Sequence, residues 1–380
     1  MCEHSSPSLP TSPPQGGRGE KHNPLPSRER VPEGQERGRH GERSEAIPLD
    51  TASNKNASKM HWAQMQEAGG LAGMRFLLRV YRVFGRWPFR FFLFFVLLWF
   101  YARRRAAREA SRDYLRRLYA FSNGTTPPPS ARNVFRHFMA FSENLLDKIL
   151  TIGATALLTD ARVDGAGCVD PLYGRKRGAL FVTAHIGNIE LCRKLAERYA
   201  GVRLTVLGHT KNAARFMQMM KERDPNYEID LVQVDNIGVD TAIVLAQKIS
   251  DGGFIVITGD RVPTGGATGN TAATVRVPFL GDDASFPISP YVLAATLQCP
   301  LFAVFGTRRD DGFVITLRQL AEAVSLPRRA RETAVAPYAA AFAQLLDAEC
   351  LKTPFQWFNF YPFWALPEFA ASAVENKETR

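Results

Sequence analysis

His185 stands in the run FVTAHIGNIE at 181–190 of this 380-residue chain. An apolar stretch with strand character ends there in a short turn holding Gly187 and Asn188, and a helical pattern follows. Glu190 lies five residues beyond His185. On one continuous helix that spacing leaves two side chains about 140° apart. They meet only if His185 is on the turn and Glu190 in the first helical turn. The carboxylate can then hold one ring nitrogen and leave the other as a general base. Gly187 permits close backbone approach, and the N–H groups of Gly187 and Asn188 at the helix start can face a developing oxyanion. The competing reading is a strand-end histidine satisfied by a neighbouring backbone group.

The other histidines separate by context. His4, His22 and His40 fall in a polar tail and His61 just after it; His137 sits in an apolar-periodic helix and reads as structural. His209 follows a strand and is a secondary candidate. The five cysteines, Cys2, Cys168, Cys192, Cys299 and Cys350, have no paired spacing, so neither a metal site nor a disulfide framework is expected. The glycine-rich GGATG at 265–269 lacks the GK[ST] of a phosphate loop, and no GxSxG elbow is present.

The elements that must position these residues alternate. Strands are expected at 179–183, 202–207, 229–234, 254–258, 301–306 and 313–317, with a turn at 310–312 before the last. Helices are expected around 135–149 and at 189–199, 213–221, 239–249, 291–297 and 333–351. Such alternation predicts an α/β domain over 122–380 with a mixed, largely parallel sheet and helices on both faces. The chemistry should lie at carboxyl ends of its strands.

The chain carries 48 Lys+Arg against 37 Asp+Glu, a net charge of +11. Residues 1–59 and 122–380 each contribute +1, whereas 60–121 hold 12 Arg and three acidic residues, a net of +9. A generally basic, nucleic-acid-binding protein is therefore excluded. Eight Phe fall between 76 and 100, and the run FFLFFVLLWFY at 91–101 is uncharged. Eleven helical residues span about 16 Å, roughly half a bilayer core. The segment is read as an N-terminal membrane-associated helical anchor that dips into the bilayer or barely crosses it. Arg75, Arg79, Arg82 and Arg86 share one helical face before it, Pro88 suits a first helical turn, and Arg103, Arg104 and Arg105 follow to meet anionic headgroups. A buried core helix flanked by Arg is the alternative. Residues 1–59 are too polar to build a core and are expected to be disordered. Met60 then becomes a candidate native start, which mass spectrometry of the N-terminus tests: peptides from 1–50 would exclude it.

HIGNIE at 185–190 resembles the HxxxxD/E motif of glycerolipid-type acyltransferases, and in its HxGNxE form the lipid A biosynthesis lauroyl/myristoyl acyltransferase family. TGDR at 258–261, VPFLG at 277–281, FP at 286–287 and QWF at 356–358 follow in that family's order. The resemblance runs from about Met60 to Trp364. It implies an O-acyltransferase on the cytoplasmic face of the bacterial inner membrane. The donor would be an acyl carrier protein thioester, or coenzyme A, used as co-substrate with no cofactor. The acceptor would be a hydroxyl of a lipid or glycolipid.

By the same resemblance His185 deprotonates that hydroxyl and Glu190 orients it. Asp260 matches an acidic position of the third motif, and Arg261 adds a charge for a donor or acceptor phosphate. A purely structural Asp260–Arg261 site is the alternative. The second motif departs from the family. LGHTKN at 207–212 keeps Asn212 but lacks Arg and Pro, so Lys211 or Arg215 would replace the cation unless both are solvated helix-start charges. That departure leaves open another acceptor, such as an aryl-polyene-type lipid. A non-catalytic membrane-surface scaffold and a lysophospholipid hydrolase are the rival readings.

Overall fold

Residues 179–183 are all apolar but for Thr183, and all five are buried, as befits a strand covered on both faces. The computed structural model describes residues 76, 79–81, 83–153, 161–175, 177–198, 204–208, 230–233, 239–262, 274–327 and 329–365. In chain order the elements are α1 (Arg86–Arg103), α2 (Arg105–Phe121), α3 (Ala131–Gly153), β1 (Arg162–Asp164), α4 (Asp170–Arg175), β2 (Ala179–Thr183) and α5 (Ile189–Arg198). There follow β3 (Leu204–Gly208), β4 (Asp230–Gln233), α6 (Val239–Ser250), β5 (Phe254–Thr258), β6 (Thr274–Phe279), β7 (Asp282–Pro287) and α7 (Ser289–Leu297). The last three are β8 (Leu301–Arg309), β9 (Gly312–Ala321) and α8 (Arg331–Lys352).

Seven strands form one sheet in the order β1-β9-β8-β2-β5-β3-β4. Every neighbouring pair is parallel except β8 and β9, which the tight turn at 310–312 makes antiparallel. The expected mixed, largely parallel α/β sheet is present. Side-chain alternation divides the central strands between two cores. Leu180, Val182, Ile255, Ile257, Leu301, Ala303 and Phe305 face one core, shared with Leu245 of α6, Ala294 of α7 and Phe342 of α8. Phe181, Phe254, Val256, Phe302 and Val304 face the other, shared with Leu172 of α4 and Leu191 of α5. Helices therefore cover both faces.

Strands β1, β6 and β7 and the short helix α4 went unforeseen. Strand β1 has only three residues, too few to show a period. The VPFLG motif belongs to the β6–β7 hairpin, in which Phe279 pairs with Asp282 across Leu280 and Gly281. Those two residues have φ of 51° and 85°, the doubly left-handed turn that suits the twist of a two-residue hairpin. The expected helix at 213–221 and the tail at 1–59 lie outside the described residues.

Helix α1 ends at Arg103, and the next residue, Arg104, has ψ of 70° and breaks it from α2. Phe89, Leu93 and Leu97 pack with Val80 and with Leu146 of α3, while Trp87, Phe91, Phe95 and Trp99 are exposed. No helix among the described residues is long and apolar enough to cross a membrane. Helix α2, which the charge pattern grouped with the anchor, lends fully buried Tyr114, Leu115 and Leu118 to the main core. Phe342 of α8 is fully buried there too. Phe342→Ala is expected to cost about 3–5 kcal/mol in a denaturant titration.

Candidate active site

Strands β2 and β5 are parallel neighbours, with Val182 opposite Ile257 and Thr183 opposite Thr258. Two residues past each carboxyl end, the chain delivers His185 and Asp260 to the same place. His185 Nδ1 lies 2.7 Å from Asp260 Oδ1, and the His185 backbone N–H donates to Oδ2 at 2.8 Å. An ionised carboxylate only accepts, so Nδ1 carries the hydrogen and Nε2 keeps its lone pair. Trp357 Nε1 donates to Oδ2 at 3.0 Å, and the Tyr361 hydroxyl donates to the Asp260 carbonyl at 3.3 Å. Asp260 is fully buried, whereas the His185 side chain is 30 % exposed. A held ring with one open nitrogen is the arrangement of a general base.

The surrounding charges tune this pair. Burial and the Arg261 guanidinium lower the His185 pKa, and Asp260 only partly opposes them. Burial pushes Asp260 upward, but the charge and hydrogen bonds of His185, with Arg261, bring it below the ordinary carboxylate value. The imidazole is therefore neutral and the carboxylate ionised near neutral pH. Lys148 on α3 adds positive charge beside the ring. Its own pKa is lowered, by burial and by Arg261, against the pull of Glu190. Arg261 Nη2 donates to the Phe358 carbonyl at 3.2 Å.

Glu190 does not hold the ring nitrogen as the spacing suggested. Its Oε2 instead accepts from Arg193 Nε at 2.8 Å, one helical turn further along α5, and both residues are buried. The physical reason is direction. Asp260 comes off the strand next to that of His185 and reaches Nδ1 in register, while Glu190 lies on a helix that leaves the turn. Asn188 caps this helix, its Oδ1 accepting from the Glu190 N–H at 3.1 Å.

The expected oxyanion donors are also committed elsewhere. Gly187 N–H donates to the Gln356 carbonyl at 2.9 Å and Asn188 N–H to the Gly306 carbonyl at 2.6 Å. The turn is pinned between β8 and the segment 356–358, where Phe358 N–H donates to the His185 carbonyl at 2.7 Å. Gly187 has φ +55°, and a Cβ there would stand 2.1 Å from the Gly306 oxygen. Gly187 and Asn188 thus position His185 and do not present their N–H groups to a ligand.

Asp260 bonds to His185, and Arg261 is close enough for its charge to bear on the ring. His209, Lys211, Asn212 and Arg215 lie outside the described residues. Trp357, Tyr361 and Lys148 were not anticipated as site residues. The QWF match held a signal for Trp357; a Lys inside an apolar-periodic helix was the only sign of Lys148. Beneath α5 lies a cavity of about 120 Å³ lined by Phe181, Ile189, Val206, Val256 and Val304, with Glu190 and Arg193 in its wall but not His185. The thiol of Cys192, also in that wall, is pushed by burial up to about 12, which makes it a poor nucleophile at neutral pH.

A family model described as bacterial lipid A biosynthesis acyltransferase matches residues 149–365, more than half of the chain. No curated protein matches.

Asp260 raises the His185 pKa and Glu190 is paired with Arg193. Asp260→Asn is therefore expected to lower the His185 pKa further, and Glu190→Gln to leave it nearly in place. An NMR titration of the imidazole measures both.

Proposed function

The chain belongs to the bacterial lipid A biosynthesis acyltransferase family, and from that premise we propose that it moves a fatty acyl group from a carrier thioester to a hydroxyl of a lipid or glycolipid acceptor. The observation that carries the mechanism is the 2.7 Å bond between His185 Nδ1 and a fully buried Asp260. His185 Nε2 takes the hydroxyl proton as the oxygen attacks the thioester carbonyl. Asp260 stabilises the imidazolium without taking its proton. As the tetrahedral intermediate collapses, the carbon–sulfur bond breaks and Nε2 returns the proton to the leaving sulfur. The products are an ester and a carrier thiol.

The oxyanion needs positive charge, and the turn's two N–H groups are already used. Lys148 and Arg261 are the cations that bear on the ring, and they fill that role in this reading. Glu190 and Arg193 then serve as a charged pair at the wall of the apolar cavity, which suits the acyl chain. The carrier is acyl carrier protein or coenzyme A. The acceptor is a lipid A precursor or, given the altered second motif, another glycolipid.

The enzyme works at the cytoplasmic face of the inner membrane. Exposed Trp87, Phe91, Phe95 and Trp99 on α1 support contact with a membrane surface, with Arg103 and Arg104 at its end. Aromatic burial at the interface and Arg against anionic headgroups are complementary contributions.

In an assay pairing acyl carrier protein and coenzyme A thioesters with candidate acceptors, His185→Ala is expected to lose about 10²–10⁴-fold of transfer. Transfer equal to wild type would exclude the base; free fatty acid release without an acceptor would identify a hydrolase instead. Wild-type kcat/KM should fall as pH drops through the lowered His185 pKa, because only the neutral ring accepts the proton. Flotation with anionic vesicles tests the surface. The triple variant Phe91→Ser/Phe95→Ser/Trp99→Ser should stay in the soluble fraction, while high salt alone should not release the wild type.

A further inference from the structure

Asp260 is fully buried and accepts three hydrogen bonds at its two carboxylate oxygens, two of them from His185. The third donor, the Trp357 indole, has its own support. His137 of α3 lies with Nε2 2.9 Å from the Trp357 carbonyl, and its Nδ1 lies 2.8 Å from Ser111 Oγ on α2. A carbonyl only accepts, so Nε2 carries the hydrogen and Nδ1 accepts from the serine hydroxyl. Burial lowers the His137 pKa to about 4, against the smaller raising effect of the Trp357 carbonyl, so the ring stays neutral. Ser111, His137, Trp357 and Asp260 are each fully buried. A hydrogen-bonded path thus runs from α2 through α3 and the chain end to the base. Ser111 and His137 lie outside the residues that the family model matches.

We propose that Trp357 and His137 are positioning residues that set the proton affinity and orientation of the His185–Asp260 pair. This rests on the reading of His185 as the base. When His185 gains its proton, the proton must stay on the ring for delivery to the leaving group. A neutral donor on Asp260 Oδ2 favours the carboxylate's charge and so keeps that proton on His185. His137 fixes the Trp357 backbone from which the indole reaches the carboxylate. A core that needed only volume at position 137 would gain by an apolar side chain, since a buried polar group stabilises little beyond its hydrogen bonds.

Trp357→Phe keeps an aromatic ring against Tyr114, Phe279 and Phe363 and removes only the N–H donor at Asp260. Its kcat is expected to fall about 10- to 100-fold with little change in KM. The acid limb of its pH profile, and the NMR titration of His185, should both move to higher pH, because the pair now holds a proton more tightly. His137→Leu should shift the limb the same way, and His137→Gln, whose amide can still donate to the Trp357 carbonyl, should restore it. Trp357→Phe with unchanged kcat and titration overturns the proposal while an inactive His185→Ala leaves the base assignment standing. Loss of thermal stability in His137→Leu without any shift of the limb overturns the part assigned to His137. An active His185→Ala overturns both readings.

Discussion

The buried carboxylate of Asp260 is the constraint around which the site is arranged. An unpaired charge in that place would cost several kcal/mol, so each carboxylate oxygen must find donors. The pairing of β2 with β5 supplies two of them by placing His185 opposite Asp260, one backbone N–H and one ring N–H. The third comes from Trp357, almost a hundred residues further along. Because the donors come from separate parts of the chain, the carboxylate has all three only when the sheet and the C-terminal segment have both assembled.

That C-terminal segment does more than close the core. Residues 356–358 bond with the His185 turn from one side while Gly306 of β8 holds it from the other. The approach is close enough that both Gly187 and Gly306 have no room for a Cβ. Holding the turn this tightly uses the N–H groups that a helix-start oxyanion hole would offer. Rigid placement of His185 and free backbone donors are thus alternatives here, and the fold adopts the first. Positive charge at the site then comes from side chains, Arg261 from the β5 end and Lys148 from α3.

Helices α1 to α3 join the site to the exposed aromatic face. Helix α2 packs Tyr114 against Trp357 and bonds Ser111 to His137, although its Arg content made it look like part of a surface segment. Arg spaced along an amphipathic helix occupy its outer face whether that face meets water or headgroups, so charge alone did not reveal the buried face.

Local pattern was enough to place most of the strands and helices. β2 and β5 have their expected bounds because continuous apolar runs bounded by turn residues leave little choice. His185 was legible as a candidate base because a strand–turn–helix run fixes its local setting. Its partner was not, since spacing within one segment favoured Glu190. The signal was faint but real: β2 and β5 have equal lengths, and His185 and Asp260 each follow two residues beyond. Only knowledge that the two strands are neighbours turns that coincidence into a contact. The sequence by itself marked His185 and the strand, turn and helix that hold it, because periodicity and turn chemistry act over a few residues. Tertiary structure decided which carboxylate meets the ring, which N–H groups are used up and which buried Trp and His stand behind them. Those choices depend on strand order and register, which no local stretch of the chain encodes.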